Sequence, residues 1–185
     1  TLPSSDLEEN NIIQNTGSWW TSSWTFDETT GILNISSGKI GVALEAPWNN
    51  GVDSSKIITI VISPNTQAPE NSSSLFAHLK NLVTIDGFQN LDTFLVTNME
   101  GMFKADENLA NIDFSNINTV NVTNMSSMFS STFSLINYDL SSFNTSNVTD
   151  MSAMFASTEA GNLDLSSFDT HNVNNMSSMF EYARL

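Results

Sequence analysis

The sequence contains no cysteine, which excludes disulfide bonds and thiolate metal sites outright. Positive charge is scarce: five Lys and Arg stand against twenty Asp and Glu, for a formal net charge of −15. So few cations cannot neutralise a run of phosphates, which argues against nucleic acid as a partner. The same deficit disfavours docking on anionic lipid. Histidine is limited to His78 and His171, and no apolar run approaches the ~18 residues of a membrane span. The opening TLPSSDLEEN reads as a mature or trimmed N-terminus rather than a signal peptide.

What is abundant is repetition. The phrases LVTNMEGMF (95–103), NVTNMSSMF (121–129), NVTDMSAMF (147–155) and NVNNMSSMF (172–180) share one register. Val96, Val122, Val148 and Val173 correspond, at spacings of 26, 26 and 25 residues. Self-similarity at that period marks stacked repeats, in which each copy needs its neighbour to bury its apolar stripe. Between the phrases runs a second pattern: Leu109, Ile112, Phe114 and Ile117, then Leu135, Tyr138, Leu140 and Phe143, then Leu163, Leu165 and Phe168. Phe76, Leu82, Ile85 and Asp86 form an older, worn copy. The alternation around Ile112, Asp113 and Phe114 has the period of a short strand. Val, Met, Met and Phe at i, i+3, i+6 and i+7 predict one face of a helical turn. The expected fold is therefore an α/β solenoid, a leucine-rich-repeat-like right-handed coil of short parallel strands and short helical turns. The paired methionines could offer a soft-metal face, but beside Phe they read as adaptable core filler.

Three segments are expected: a polar tail over 1–18, a β-rich N-terminal cap over 19–74, and the repeat array over 75–185, continuing past Leu185. In the cap, Trp24 and Phe26 alternate on one arm of a hairpin and Leu33 and Ile35 on the other, around Thr-Thr-Gly. KIITIVIS (56–63) reads as a buried strand. NSSSLFAHLKNL reads as a short helix capped by Ser72 or Ser73. Trp19, Trp20, Trp24 and Trp48 are either aromatic filler of the cap or a sugar-binding platform.

The run Trp24-Thr-Phe-Asp, Gly31-Ile-Leu-Asn-Ile-Ser, Pro47-Trp48 and Ile57 to Ile62 resembles the N-terminal cap of bacterial surface proteins with BspA-type leucine-rich repeats. The stretches IDFSNINTVNVTNMSSMF and YDLSSFNTSNVTDMSAMF resemble that family's surface-protein repeat. The likeness covers 19–185 and is weaker over 64–95. It departs where the family often has Cys and this chain has Asp106, Thr132 and Thr158. The resemblance implies an extracellular protein, secreted or attached to the wall of a Gram-positive bacterium. It further implies adhesion to a protein or glycan of a host or neighbouring cell.

No catalytic pattern emerges. There is no Gly-x-Ser-x-Gly elbow, GILNISSGKI has the wrong spacing for a phosphate loop, and no two of the twenty carboxylates stand out as a glycosidase pair. A non-enzymatic binding module without cofactor or metal is expected, with a spacer holding another domain off the cell wall as the alternative. Its expected state is a monomer, or weak self-association through the open C-terminal end. The candidate partner-binding residues are Asp113, Asp139 and Asp164, with Asn111, Asn137 and Asn162 and with Ser115, Ser141 and Ser166. Stacked strands about 4.8 Å apart would set the three carboxylates in a column whose mutual repulsion raises their pKa values. The other reading is that each Asp accepts a local backbone bond in its own turn.

Overall fold

The structure is a computed structural model and describes residues 14–161 and 163–184. Asn162 and residues 1–13 of the expected tail lie outside the described residues. Strand β1, Gln14–Trp19, pairs antiparallel with β2, Ser22–Asp27, so residues 14–18 of that tail are strand. Strand β3, Ile32–Ile35, continues the meander, with Phe26 opposite Leu33 and Trp24 opposite Ile35. Gly17 sits across from Trp24, whose indole occupies the space a Cβ at 17 would need. Beyond β3 the chain direction is constant. Strands β5 (Thr59–Ile62), β7 (Thr84–Asp86) and β9 (Asn111–Ile112) add in parallel, for a six-stranded sheet. The short strands β4 (Gly38–Lys39), β6 (Thr66–Gln67) and β8 (Leu91–Asp92) form a second, parallel sheet.

This overturns the expected α/β solenoid of parallel strands and helical turns. The fold is mostly β, its main sheet is mixed because the cap contributes antiparallel strands, and its few helices are 3-10 turns such as Pro47–Asn49 and Phe88–Asn90. No α-helix occurs among the described residues. The segment around Ser72 and Ser73 is likewise a run of turns: Ser72 Oγ donates to the Pro69 carbonyl, and Asn71 Oδ1 accepts from Ser73 N–H.

The Met-Phe phrase shows why a helix is not formed. Within 125–132, the N–H groups of Met128, Ser130 and Thr132 donate three residues back, to Met125, Ser127 and Phe129. Those of Met125, Ser127, Phe129 and Ser131 donate instead to the next copy, at Asp150, Ser152, Met154 and Ala156, over 2.8–2.9 Å. An α-helix would keep every one of these donors inside its own segment. The alternation instead makes successive β-turns, cross-linked from copy to copy. It requires a left-handed residue twice per copy, met at Ser74 and His78, Gly101 and Ala105, Ser127 and Ser131, Ala153 and Ser157, and Ser178 and Tyr182. Only one of these ten is glycine, and an L side chain in that region costs about 1–2 kcal/mol. Eight of the ten are Ser, Ala or Gly and none is β-branched, the class that tolerates this region least.

Burial follows the same register. Phe76, Phe103, Phe129, Phe155 and Phe180 stack one on the next at 5.6–5.9 Å, with neighbouring planes within 12° of parallel. Offset aromatic pairs of this kind contribute about 0.5–1.5 kcal/mol each beyond their buried area. A second file, Phe88, Phe114 and Phe143, is edge-to-face within itself, and Phe88 and Phe114 also pack edge-on against the first. Trp48 and Trp19 close the column at the cap end. At the other end Met176 and Phe180 are 43% and 41% exposed, whereas Met125, Phe129, Met151 and Phe155 are fully buried.

Buried threonines clasp adjacent copies. Thr119 Oγ1 donates to the Asn144 carbonyl and accepts from Asn144 N–H, both at 2.8 Å. Thr93 does the same to Asn118, and Thr145 to Asp169. Outside, Asn121, Asn147 and Asn172 each donate from Nδ2 to a carbonyl of the preceding copy. The polar letters of the repeated phrase are thus as structural as the apolar ones.

Glycine distinguishes the turn ladder from a helix. In an exposed helix interior, Ser→Gly is destabilising by a few tenths of a kcal/mol. At a left-handed site it should stabilise by about 1 kcal/mol. We expect Ser127→Gly and Ser131→Gly each to raise the urea midpoint; a lowered midpoint for both would contradict the ladder.

Candidate functional site

The exposed strand face gathers the sequence-derived site residues into two groups. A shallow groove of about 500 Å³ lies where β7 meets β9, lined in part by Asp86, Asn111, Asp113 and Asn137. A smaller hollow of about 100 Å³ holds Asp139, Ser141, Asp164 and Ser166. Ser115 lines neither; its carbonyl accepts from Ser142 Oγ at 2.9 Å. Asp113, Asp139 and Asp164 are all exposed, but none lies in a strand: β9 ends at Ile112 and is the last strand among the described residues.

At Asp139 and Asp164 the pKa shift runs opposite to the expected one. Asp113 Oδ1 accepts from Ser115 N–H at 2.9 Å, Asp139 Oδ1 from Ser141 N–H and Oγ at 3.2 and 2.6 Å, and Asp164 Oδ1 from Ser166 N–H at 2.9 Å. Each is a local turn in which the carboxylate answers a backbone donor two residues on. The Ser141 hydroxyl and N–H hold Asp139 below the usual carboxylate range, and the Ser166 N–H and hydroxyl do the same for Asp164. The sign is therefore opposite to that of a repelling column. A depressed pKa gives stability above the ordinary value and loses it as pH falls. Among the described residues, no group of three His, Asp or Glu side chains is arranged to hold a metal ion.

The tryptophans divide. Trp19, Trp24 and Trp48 are buried filler, and Trp19 Nε1 donates to the Val42 carbonyl at 3.2 Å. Trp20 is 64% exposed at the tip of the β1–β2 hairpin. Two concavities flank it, of about 530 and 490 Å³, and both are lined by Trp20 and Pro69. Alternation along a strand distinguishes Trp19 from Trp20 only once the turn position is known, so the sequence alone leaves the four indoles equivalent. Neither histidine joins a catalytic set: His78 is exposed, and His171 Nδ1 shares a 2.7 Å hydrogen bond with Asp169 inside a local turn.

These features define a class: a β-turn-laddered repeat protein with a capped end, a polar exposed strand face and a cleft at the cap. The chain belongs to the family described as "Mycoplasma protein of unknown function, DUF285", whose model matches residues 65–185. Neither a curated protein nor a solved structure matches it. Among the described residues, no helix is long and apolar enough to cross a membrane.

One buried carboxyl went unnoticed in the sequence except as a departure from the family pattern. Asp106 is fully buried; its Oδ1 accepts from Leu79 N–H at 2.8 Å, while Oδ2 has no partner among the described residues. Thr132 and Thr158, at the same point of later copies, instead donate to the Phe129 and Phe155 carbonyls. Burial raises the Asp106 pKa well above the ordinary range, against the pull of the Leu79 N–H. A raised folded value means the stability is fully present below the unfolded pKa and is lost as pH rises through the folded one. Asp106→Asn keeps the Leu79 bond and removes the ionisation. We expect its advantage over the wild type to widen steadily as pH rises above about 4, where the unfolded carboxyl ionises and the buried one does not. Parallel urea-stability profiles for the two proteins would contradict that assignment.

Proposed function

We propose that this chain is a non-enzymatic binding module that attaches a bacterium to an extracellular protein or glycan. The observation that carries the reading is the groove between β7 and β9, where the Asp86 carboxylate and the Asn137 amide stand free on a scaffold fixed by backbone ladders. Asp86 and Asn137 make no intramolecular side-chain hydrogen bond among the described residues, so their polar atoms face solvent with nothing to satisfy within the fold. The backbone beneath them is held by the ladders, so binding orders only the side chains and not the chain that carries them. The acidic balance of −15 favours a neutral or cationic partner over a polyanion. The resemblance to BspA-type surface proteins supports adhesion and an extracellular, wall-attached or secreted location. The cross-linked stacking also suits a spacer, because an array tied copy to copy is stiff.

Surface plasmon resonance separates these. The immobilised chain is presented with fibronectin, mucin and a panel of neutral glycans, and compared with Asp86→Ala/Asn137→Ala. The adhesive reading expects saturable binding to at least one probe and about tenfold weaker binding, or ~1.4 kcal/mol, in the double variant, with an unchanged melt. No binding to any probe would leave the spacer, and full binding by the variant would remove the β7–β9 groove as the binding surface.

A further inference from the structure

We propose that the cleft around Trp20 is a glycan site in which the exposed indole stacks on a neutral pyranose ring. The inference goes beyond the groove described above, and it starts from a residue that the fold does not ask for. The β1–β2 turn has two central residues, Trp20 and Thr21, between the paired Trp19 and Ser22. Trp20 is left-handed at φ 58°, and Thr21 is not among the residues of positive φ. A two-residue hairpin with positive φ at its first central position is where glycine ordinarily sits. An exposed tryptophan there is strained in its backbone and recovers little from burial. The left-handed residues of the turn ladder recur with the repeat, whereas Trp20 stands outside it, and outliers of that kind are found where a ligand is held.

The surroundings name the ligand class. Pro69, Leu95 and Val42 give apolar surface on either side of the indole, while Lys39, Gln67 and Glu70 give donors and acceptors at the rim of one concavity. Glu45 does so in the other, where Gly41 leaves room for its carboxylate. That alternation fits a pyranose, which has an apolar C–H face and a rim of hydroxyls. Among the described residues, none of the ion pairs involves Lys39, Glu45 or Glu70, so their charged ends are available. One ammonium against two carboxylates, on a protein of net charge −15, does not suit an anionic sugar. Because two shallow hollows share the indole as their common wall, the site suits consecutive rings of a chain better than one enclosed monosaccharide. It also lies at the seam: Ser18, Trp20, Lys39 and Glu45 precede the family-matched segment, and Gln67, Glu70 and Leu95 fall inside it.

The test follows the Trp20 indole Nε1–H resonance while the whole chain is titrated with maltohexaose, cellohexaose or N-acetylchitohexaose, with heparin as a polyanion. At least one neutral hexamer should shift it saturably at millimolar concentration. Trp20→Gly should melt a few degrees higher and bind about tenfold more weakly or worse, and Trp20→Phe should keep part of the affinity. Gain of stability with loss of binding marks a ligand-facing residue, since a structural one would lose stability. The proposal is overturned if none of the three hexamers moves the resonance, if Trp20→Gly melts lower or binds as well as wild type, or if heparin binds more tightly than all three. The signal belongs to the cleft itself, so the result stands whatever the β7–β9 groove binds.

Discussion

Everything else in this protein depends on backbone N–H groups that leave their own repeat. In the Met-Phe phrase, every second amide donates to the copy that follows, and the amides between them close three-residue turns. A polar backbone buried without partners would be prohibitive, so the ladder is what allows a segment with no helix and almost no strand to sit against the core. The left-handed serines and alanines are the conformational cost of that alternation, and the Phe column and methionines packed behind the ladder offset it. The copies therefore cannot be separated energetically. Each one finishes the hydrogen bonding of its neighbour as well as covering its apolar face.

The same dependence explains the cap. A ladder must begin somewhere, and its first copy presents an unpaired edge that would recruit another strand. Here β3 offers a parallel partner to β5 while β1 and β2 turn back antiparallel, so the main sheet starts as a hairpin meander and ends as a stack. Trp19 and Trp48 extend the Phe column into that cap, so the aromatic core runs without interruption from cap to repeats. The seam that results is also where the exposed Trp20 and its two flanking hollows lie.

How much of this could be read from letters alone depended on whether the signal was burial or hydrogen bonding. The repeat register and the inward residues were legible: Val122, Met125, Met128 and Phe129 are all fully buried. The helix was not correct, because methionines three apart are produced equally by consecutive three-residue turns. Only the destination of the amide protons separates the two, and Ser127 carries no letter that announces a left-handed backbone. The hairpin of Trp24 and Phe26 was legible because its turn residues bound the alternation. Among the candidate site residues, the exposure of Asp113, Asp139 and Asp164 was legible from the apolar–polar alternation, although no strand forms at these three positions. For Asp139 and Asp164 the direction of the pKa shift was not legible, because the serine two places on supplies hydrogen bonds that the strand period does not announce. The threonine clasps were missed since Thr119 and Thr145 look like ordinary turn residues until the next copy is laid against them.

The ladder itself is open to direct observation. Scalar couplings across hydrogen bonds link an amide nitrogen to the carbonyl carbon that accepts its proton, and so name the acceptor without a structural assumption. In uniformly labelled protein, Phe129 nitrogen should couple to the carbonyl carbon of Met154, and Ser127 nitrogen to that of Ser152. Couplings from Phe129 to Met125 and from Ser127 to Thr123, four residues back as in an α-helix, would contradict the account.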